Sequence, residues 1–170
     1  AGDAIDAASA GKRALRLVAL MYLTGLDGGV RAQRLFESTG NMTESISALG
    51  YLVEQGRAST ALKNFEARWR DMPGVMDKWY GVQAGRTPAH DAVATVRELA
   101  IRDDFHWKTP NRFRALVGAF GRNHAAFHDL SGDGYAFVAD WIKQLDPLVP
   151  QVAARTATIF KTWKRYDRDR

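Results

Sequence analysis

His124 and His128 stand four residues apart, the spacing at which a helix turns two metal-ligating nitrogens to one side. Zinc hydrolysis at such a pair also needs a carboxylate to activate water, yet Ala125 follows the first histidine and no Glu occurs after Glu98. The pair therefore reads as two ordinary histidines on a short helix behind a loop. Asp129-Leu130-Ser131-Gly132-Asp133-Gly134 has the opening of a calcium loop, with Asp140 at its twelfth position. Phe137 occupies the ninth position, where an oxygen or a bridging water belongs, and Asp140 is shorter than the usual bidentate Glu. A tight turn with Asp133 capping the next helix is the expected structure. No strained Gly-x-Ser-x-Gly turn and no phosphate-cradling glycine loop occurs. The sequence thus offers no catalytic residue and no metal ligand set.

Two arginines carry more weight. Arg155 falls on the apolar stripe of the last helix, three residues after Val152 and four before Ile159. A guanidinium there must reach an internal carboxylate or a water-filled cavity. Arg114 stands at the edge of the stripe of the helix opened by Pro110. Together they could offer a positive surface to a peptide carboxylate, which Arg matches with two parallel hydrogen bonds. The alternative for each is an internal ion pair with an acid of a neighbouring helix.

The elements that must position these side chains are helices. Residues 11–24 are apolar nearly all round, which predicts a helix buried between layers. Gly25 to Gly29 breaks the chain, Val30–Glu37 is a second helix, and Thr43 is expected to cap a third that Gly56 ends. Leu62, Phe65 and Trp69 mark a fourth, and Pro73 opens a fifth whose inner face is Val75, Met76, Trp79 and Val82. Thr87-Pro88 opens a sixth, and Thr109-Pro110 is an N-cap with Pro at the first helical position. Phe113, Leu116, Val117 and Phe120 follow at i, i+3, i+4, i+7. Val138, Trp141, Ile142 and Leu145 mark another helix, and Pro150 opens the last, with Ile159, Phe160 and Trp163 on its stripe. The five Trp are expected mainly in the core. No segment alternates at period two. The prediction is an all-α fold of eight or nine helices in stacked antiparallel pairs, an armadillo- or HEAT-like right-handed superhelical array forming a single domain over 1–170. The last residues, Lys161 to Arg170, carry no stop signal, so the chain is expected to end inside a helix or its frayed end.

Composition sets the bounds. A chain of 170 residues with 46% hydrophobic content is globular and can bury a sizeable core. The apolar run Leu17 to Leu23 is too short for a bilayer. Zero cysteines exclude disulfides and fit a reducing cytoplasm. The chain starts without Met, as a fragment or processed chain would. The net charge is +5, and from Asp140 onward Lys143, Arg155, Lys161, Lys164, Arg165, Arg168 and Arg170 face only Asp140, Asp146, Asp167 and Asp169. These charges interleave with aromatics and form no long run of one sign, so a solvated face is expected rather than a nucleic-acid surface.

Five blocks give the chain a family likeness: Gly11-Lys12-Arg13-Ala14-Leu15-Arg16, Asn41-Met42-Thr43, Val75-Met76-Asp77-Lys78-Trp79-Tyr80, Pro110 to Phe120, and Lys164-Arg165-Tyr166-Asp167. In this order they resemble the C-terminal helical domain of bacterial aminopeptidase N, a zinc metallopeptidase. That family carries zinc on His-Glu-x-x-His with a Glu 19 residues beyond, a position that falls here on Pro147. The resemblance implies a non-catalytic piece of a four-domain cytoplasmic enzyme, inactive by itself, with zinc held by the parent's catalytic domain. It implies the catalytic domain of the same parent chain as partner and a helical wall that encloses the active-site cavity and admits peptides. Arg114 and Arg155 become candidates for substrate or product contact on that wall. An excised piece is expected to expose a former interface that can drive self-association. An autonomous helical-repeat module binding a peptide or an acidic protein is the other reading.

Overall fold

A computed structural model describes residue 4 and residues 6–166 of the chain. Every regular element among them is helical. The chain divides into two compact units, residues 1–82 and 83–170.

The first unit begins with α1 (Ala7–Asp27), whose N-cap Asp6 accepts a hydrogen bond from the Ser9 N–H at 2.9 Å. That backbone bond holds the Asp6 carboxyl below its ordinary range. Gly28 ends the helix in the left-handed region at φ 61°, and α2 (Val30–Ser38) follows almost at once. Asp27 fastens this corner. Its carboxylate accepts from the backbone N–H of Gly29 (3.0 Å) and of Arg31 (3.3 Å), and from the Arg31 guanidinium (2.7 Å). α3 (Met42–Glu54) is the centre of the unit and buries Ala48, Leu49, Tyr51, Leu52 and Val53. Burying each of its leucines contributes roughly 1.5–3 kcal/mol. Tyr51 Oη donates to the Leu17 carbonyl at 3.0 Å and so ties α3 to α1. Buried Glu44 accepts from Arg16 Nη1 at 3.0 Å and from Thr39 Oγ1 at 2.8 Å. α4 (Ser59–Trp69) and α5 (Pro73–Arg86) are joined by the Trp79 indole N–H, which donates to the Leu62 carbonyl at 3.0 Å.

The second unit holds α6 (Ala89–Ala100), α7 (Pro110–Phe113), α8 (His124–Phe127), α9 (Asp133–Leu145) and α10 (Pro150–Ala157). α7 runs on as a π-helical turn over Arg114–Gly118, and α10 runs on as a 3-10 helix over Thr158–Arg165. Its core is aromatic. Phe105 and Phe113 meet Trp141 edge-on at 5.8 and 5.6 Å, and Phe120 meets Phe127 and Phe137 at 6.3 and 5.3 Å. Consecutive helices pack on one another, α2 on α3 and α9 on α10, while α6 lies against α8 and α9. The result is the all-α fold of stacked helices that the period of the apolar residues indicates.

Several expectations are corrected. α1 is not buried all round: Leu15, Val18, Met21, Tyr22, Leu23 and Leu26 are exposed, because only the Leu17, Leu20, Thr24 side meets α2 and α3. It also runs through Gly25 to Asp27. The cap of α3 is Asn41, whose Oδ1 accepts from the N–H of Thr43 and Glu44; Thr43 itself is inside the helix. Gly132, at φ 75°, precedes α9, so Asp133 is its first residue rather than its cap. The helix opened by Pro110 loosens into a π turn after one turn, and the last helix tightens to 3-10 geometry, leaving Trp163 52% exposed rather than in the core. Regular structure ends at Arg165, Tyr166 is extended, and the expectation for the chain end beyond it lies outside the described residues.

Candidate functional site

The second unit contains a cavity of about 650 Å³ between the α7 segment with its π turn and the α10 segment with its 3-10 extension. Both sequence-predicted arginines line it: Arg114 from the first residue of the π turn, Arg155 from the last turn of α10. The π turn has a local cause and a local effect. The Ala119 N–H reaches back five residues to the Arg114 carbonyl. One residue is thereby added to the turn, which shifts the facing of Arg114 relative to Leu116, Val117 and Phe120, all buried. Arg155 is exposed to the cavity and is not sunk in the core, because the apolar stripe of α10 opens onto this hollow through Val152 and Ile159.

Two glycines permit close approaches in this unit. A β-carbon on Gly121 would stand 2.5 Å from Ile159 Cγ2 and 2.9 Å from its Cδ1, so only glycine lets the end of this wall meet the 3-10 helix there. A β-carbon on Gly134 would stand 2.7 Å from the Ala126 carbonyl oxygen and 2.8 Å from that of Phe127, which sets how closely α9 approaches α8. Asn123 Nδ2 donates to the Thr87 carbonyl at 2.8 Å and anchors the loop below the cavity.

The electrostatics are one-sided. Among the described residues the lining holds Arg114, Arg122, Arg155 and His124, and no Asp or Glu. Among the described residues, none of these three guanidiniums has an ion pair or a hydrogen bond. The internal ion-pair alternative for Arg114 and Arg155 therefore has no partner among the described residues. Arg122 and His124 were missed as cavity residues by sequence reasoning. Both fall where the chain has left the helix opened by Pro110, and no apolar period there indicates a facing.

The metal readings meet specific obstacles. His128 is fully buried, with Nδ1 2.7 Å from Tyr135 Oη and Nε2 2.8 Å from Thr162 Oγ1. Both ring nitrogens are engaged, and the His124 ring lies edge-on at 5.5 Å. In the Asp129 loop, Oδ1 of Asp129 accepts from the Ser131 N–H at 3.0 Å, and Asp140 pairs with Lys143 at 3.2 Å on exposed α9 surface. Among the described residues no group of three or more His, Cys, Asp or Glu gathers where it would hold a metal ion. No helix among them is long and apolar enough to cross a membrane.

The fold is an all-α stack of helices, and its second unit holds a cavity lined by basic and apolar side chains. Residues 2–170 match the family described as "Domain of unknown function (DUF3458_C) ARM repeats", and the chain belongs to that family. It is similar to aminopeptidase N of Caulobacter vibrioides, 42% identical over 167 residues that make up 95% of this chain and 19% of that protein. Aminopeptidase N of Escherichia coli is 35% identical over 165 residues, 94% of this chain and 19% of its own length. Among solved structures, aminopeptidase A of Legionella pneumophila, in complex with aspartic acid, superposes with a TM-score of 0.90 and 32% identity, covering 99% of this chain and 21% of that one. The chain therefore spans about a fifth of the length of the relatives it matches.

Proposed function

We propose that this chain is the later part of the C-terminal helical domain of a cytoplasmic zinc aminopeptidase that removes N-terminal residues from peptides. Its role there is to wall the active-site cavity, restrict access to peptides and unfolded ends, and hold the peptide's carboxylate away from the reacting end. The observation that carries this reading is the convergence of Arg114 and Arg155 on one cavity with no acid among its described lining residues. The likeness to two aminopeptidases N along more than nine-tenths of the chain supports the enzyme class.

Each residue's part follows from its chemistry. A guanidinium grips a carboxylate with two parallel hydrogen bonds. Arg114 and Arg155 come from the two segments that line the cavity, and the proposed carboxylate is held by both. Phe113, Val152 and Ile159 supply apolar surface for the peptide body. Zinc, held in the parent by residues outside this chain, supplies carbonyl polarisation and an activated water. The residues present here do not fit that metal, since His128 has both nitrogens engaged and no carboxylate accompanies His124. The apolar outer side of α1 is proposed to pack against another part of the parent.

The test is Arg155→Ala in the full-length parent. Because the group is solvent-accessible, we expect affinity for a tripeptide to fall about tenfold, the low end for a hydrogen bond to a charged group. Turnover of a single-residue amide substrate should be unchanged. Equal loss on both substrates together with a lower melting temperature would assign Arg155 a structural role instead.

A further inference from the structure

The cavity carries more positive charge than one carboxylate uses. A β-carbon built on Gly118 would stand 3.7 Å from Arg114 Cβ and 3.9 Å from Arg122 Nη1, in ordinary contact with both. The guanidinium of Arg122 therefore lies beside the root of Arg114, on the same patch of wall. Arg155 faces the same hollow from α10, and His124 stands at its edge. Three guanidiniums thus line one hollow, and no carboxylate among the described lining residues offsets them. A main-chain carboxylate taken between Arg114 and Arg155 leaves Arg122 without a partner. A lining with three guanidiniums is complementary in charge to a ligand that carries a second negative group. The apolar surface of Phe113, Val152 and Ile159 between the cations suits a peptide rather than a bare anion, and about 650 Å³ lies in the range of small-ligand sites.

We infer that Arg122 is a specificity-determining residue that selects peptides with an acidic carboxyl-terminal residue, Asp or Glu. The main-chain carboxylate lies between Arg114 and Arg155, and the side-chain carboxylate meets Arg122. The inference rests on the proposed reading of the cavity as a peptide-carboxylate site, and the test separates the two.

Calorimetric titration of this chain with Ala-Ala-Glu and Ala-Ala-Gln, each with a free and an amidated carboxyl terminus, at low salt, provides the readout. The free Glu peptide is expected to bind about threefold tighter than the free Gln peptide, as a partly exposed charge pair gives. Arg122→Gln should bring the two to equal affinity without abolishing either. Arg122→Glu should turn the preference toward Ala-Ala-Lys. Equal affinity for Glu and Gln in the unaltered chain, or a Glu preference that survives Arg122→Gln, overturns the role of Arg122. Indifference to amidation with the Glu preference intact overturns the carboxylate reading and leaves Arg122 as an acidic-side-chain site. No binding of any peptide, or inorganic phosphate binding more tightly than the Glu peptide, overturns both.

Discussion

Two glycines of the second unit permit close approaches, one at the cavity wall and one between α9 and α8, and they differ in what a methyl group would meet. At Gly121 the obstacle is the side chain of Ile159, with Cγ2 at 2.5 Å. Gly121→Ala should cost about 1–3 kcal/mol, the range for overpacking a filled site. Ile159→Ala in the same chain removes the obstructing atoms, so the double variant should recover part of that loss. A urea double-mutant cycle checks this; additive losses would mean that the wall yields by backbone shift rather than at Ile159. At Gly134 the obstacles are backbone: two carbonyl oxygens at 2.7 and 2.8 Å and the Phe127 Cα at 2.9 Å. No single truncation relieves them, so Gly134→Ala should lower the urea midpoint further than Gly121→Ala does. Neither role was legible in the sequence, because a glycine inside a helical stretch gives no sign of which neighbour approaches it. Arg114 and Arg155 were legible as cations on apolar stripes. Arg122 was not, because it falls in a loop with no period from which a facing could be read.

Among the elements, the 3-10 helix Thr158–Arg165 is tied to its neighbours by Phe160, which packs on Phe127 and Tyr135 at 5.2 and 5.4 Å, and by hydrogen bonding through His128. His128, the residue that ends α8, bridges Tyr135 of α9 and Thr162 of the 3-10 helix, and the Tyr166 ring lies 4.0 Å from its own. The neutral imidazole donates from one nitrogen and accepts at the other, and either hydroxyl can complete the pair. His128→Ala leaves a void and removes one hydrogen bond from each of two hydroxyls, so it should cost about 2–4 kcal/mol. It should also speed tryptic cleavage after Lys161 and Lys164 under conditions where the rest of the chain stays folded. Cleavage unchanged from the unaltered chain would show that Ile159 and Phe160 hold the segment without the histidine. The corner between α1 and α2 carries a pH-dependent fastening. Partial desolvation pushes the Asp27 carboxyl up, but the N–H groups of Arg31 and Gly29 and the Arg31 guanidinium more than offset this, leaving it below its ordinary 3.8. A carboxyl lowered in the folded state adds stability above its unfolded value, and that stability is lost as pH falls through the lower folded value. Asp27→Asn should therefore lower the melting temperature at neutral pH, with the difference shrinking only below about pH 3.8. The helix boundaries were mostly legible because Pro73, Pro110 and Pro150 each open a helix and Gly28 and Gly56 follow helix ends. The π turn and the 3-10 stretch were not, since their residues keep a helical apolar period and only tertiary contacts decide how tightly the chain winds.

At the scale of the whole molecule, α1 is the feature that the chain's own contacts leave unexplained. Leu15, Val18, Tyr22 and Leu26 recur at i, i+3, i+7 and i+11 and are 72, 50, 71 and 84% exposed. Gly11 and Gly25 lie on the same stripe with nothing within 4 Å of a built β-carbon, so another backbone can approach closely. The sequence shows this helix as apolar all round, and that pattern is equally what a helix between two layers and a helix with one layer missing would have. The chain is about a fifth of its relatives' length, and the proposed parent supplies the missing cover. Alone in solution, the chain has only a second copy of itself to place there. We expect sedimentation to show a concentration-dependent dimer, favoured by salt because the net charge of +5 repels between copies and is screened. Leu15→Glu combined with Tyr22→Glu puts charge into the seam of such a pairing and should give a monomer with unchanged helix content. A chain that is monomeric at every concentration would mean that the stripe is too narrow to hold a partner without the rest of the parent. Dimers that persist in the double variant would move the contact to another face.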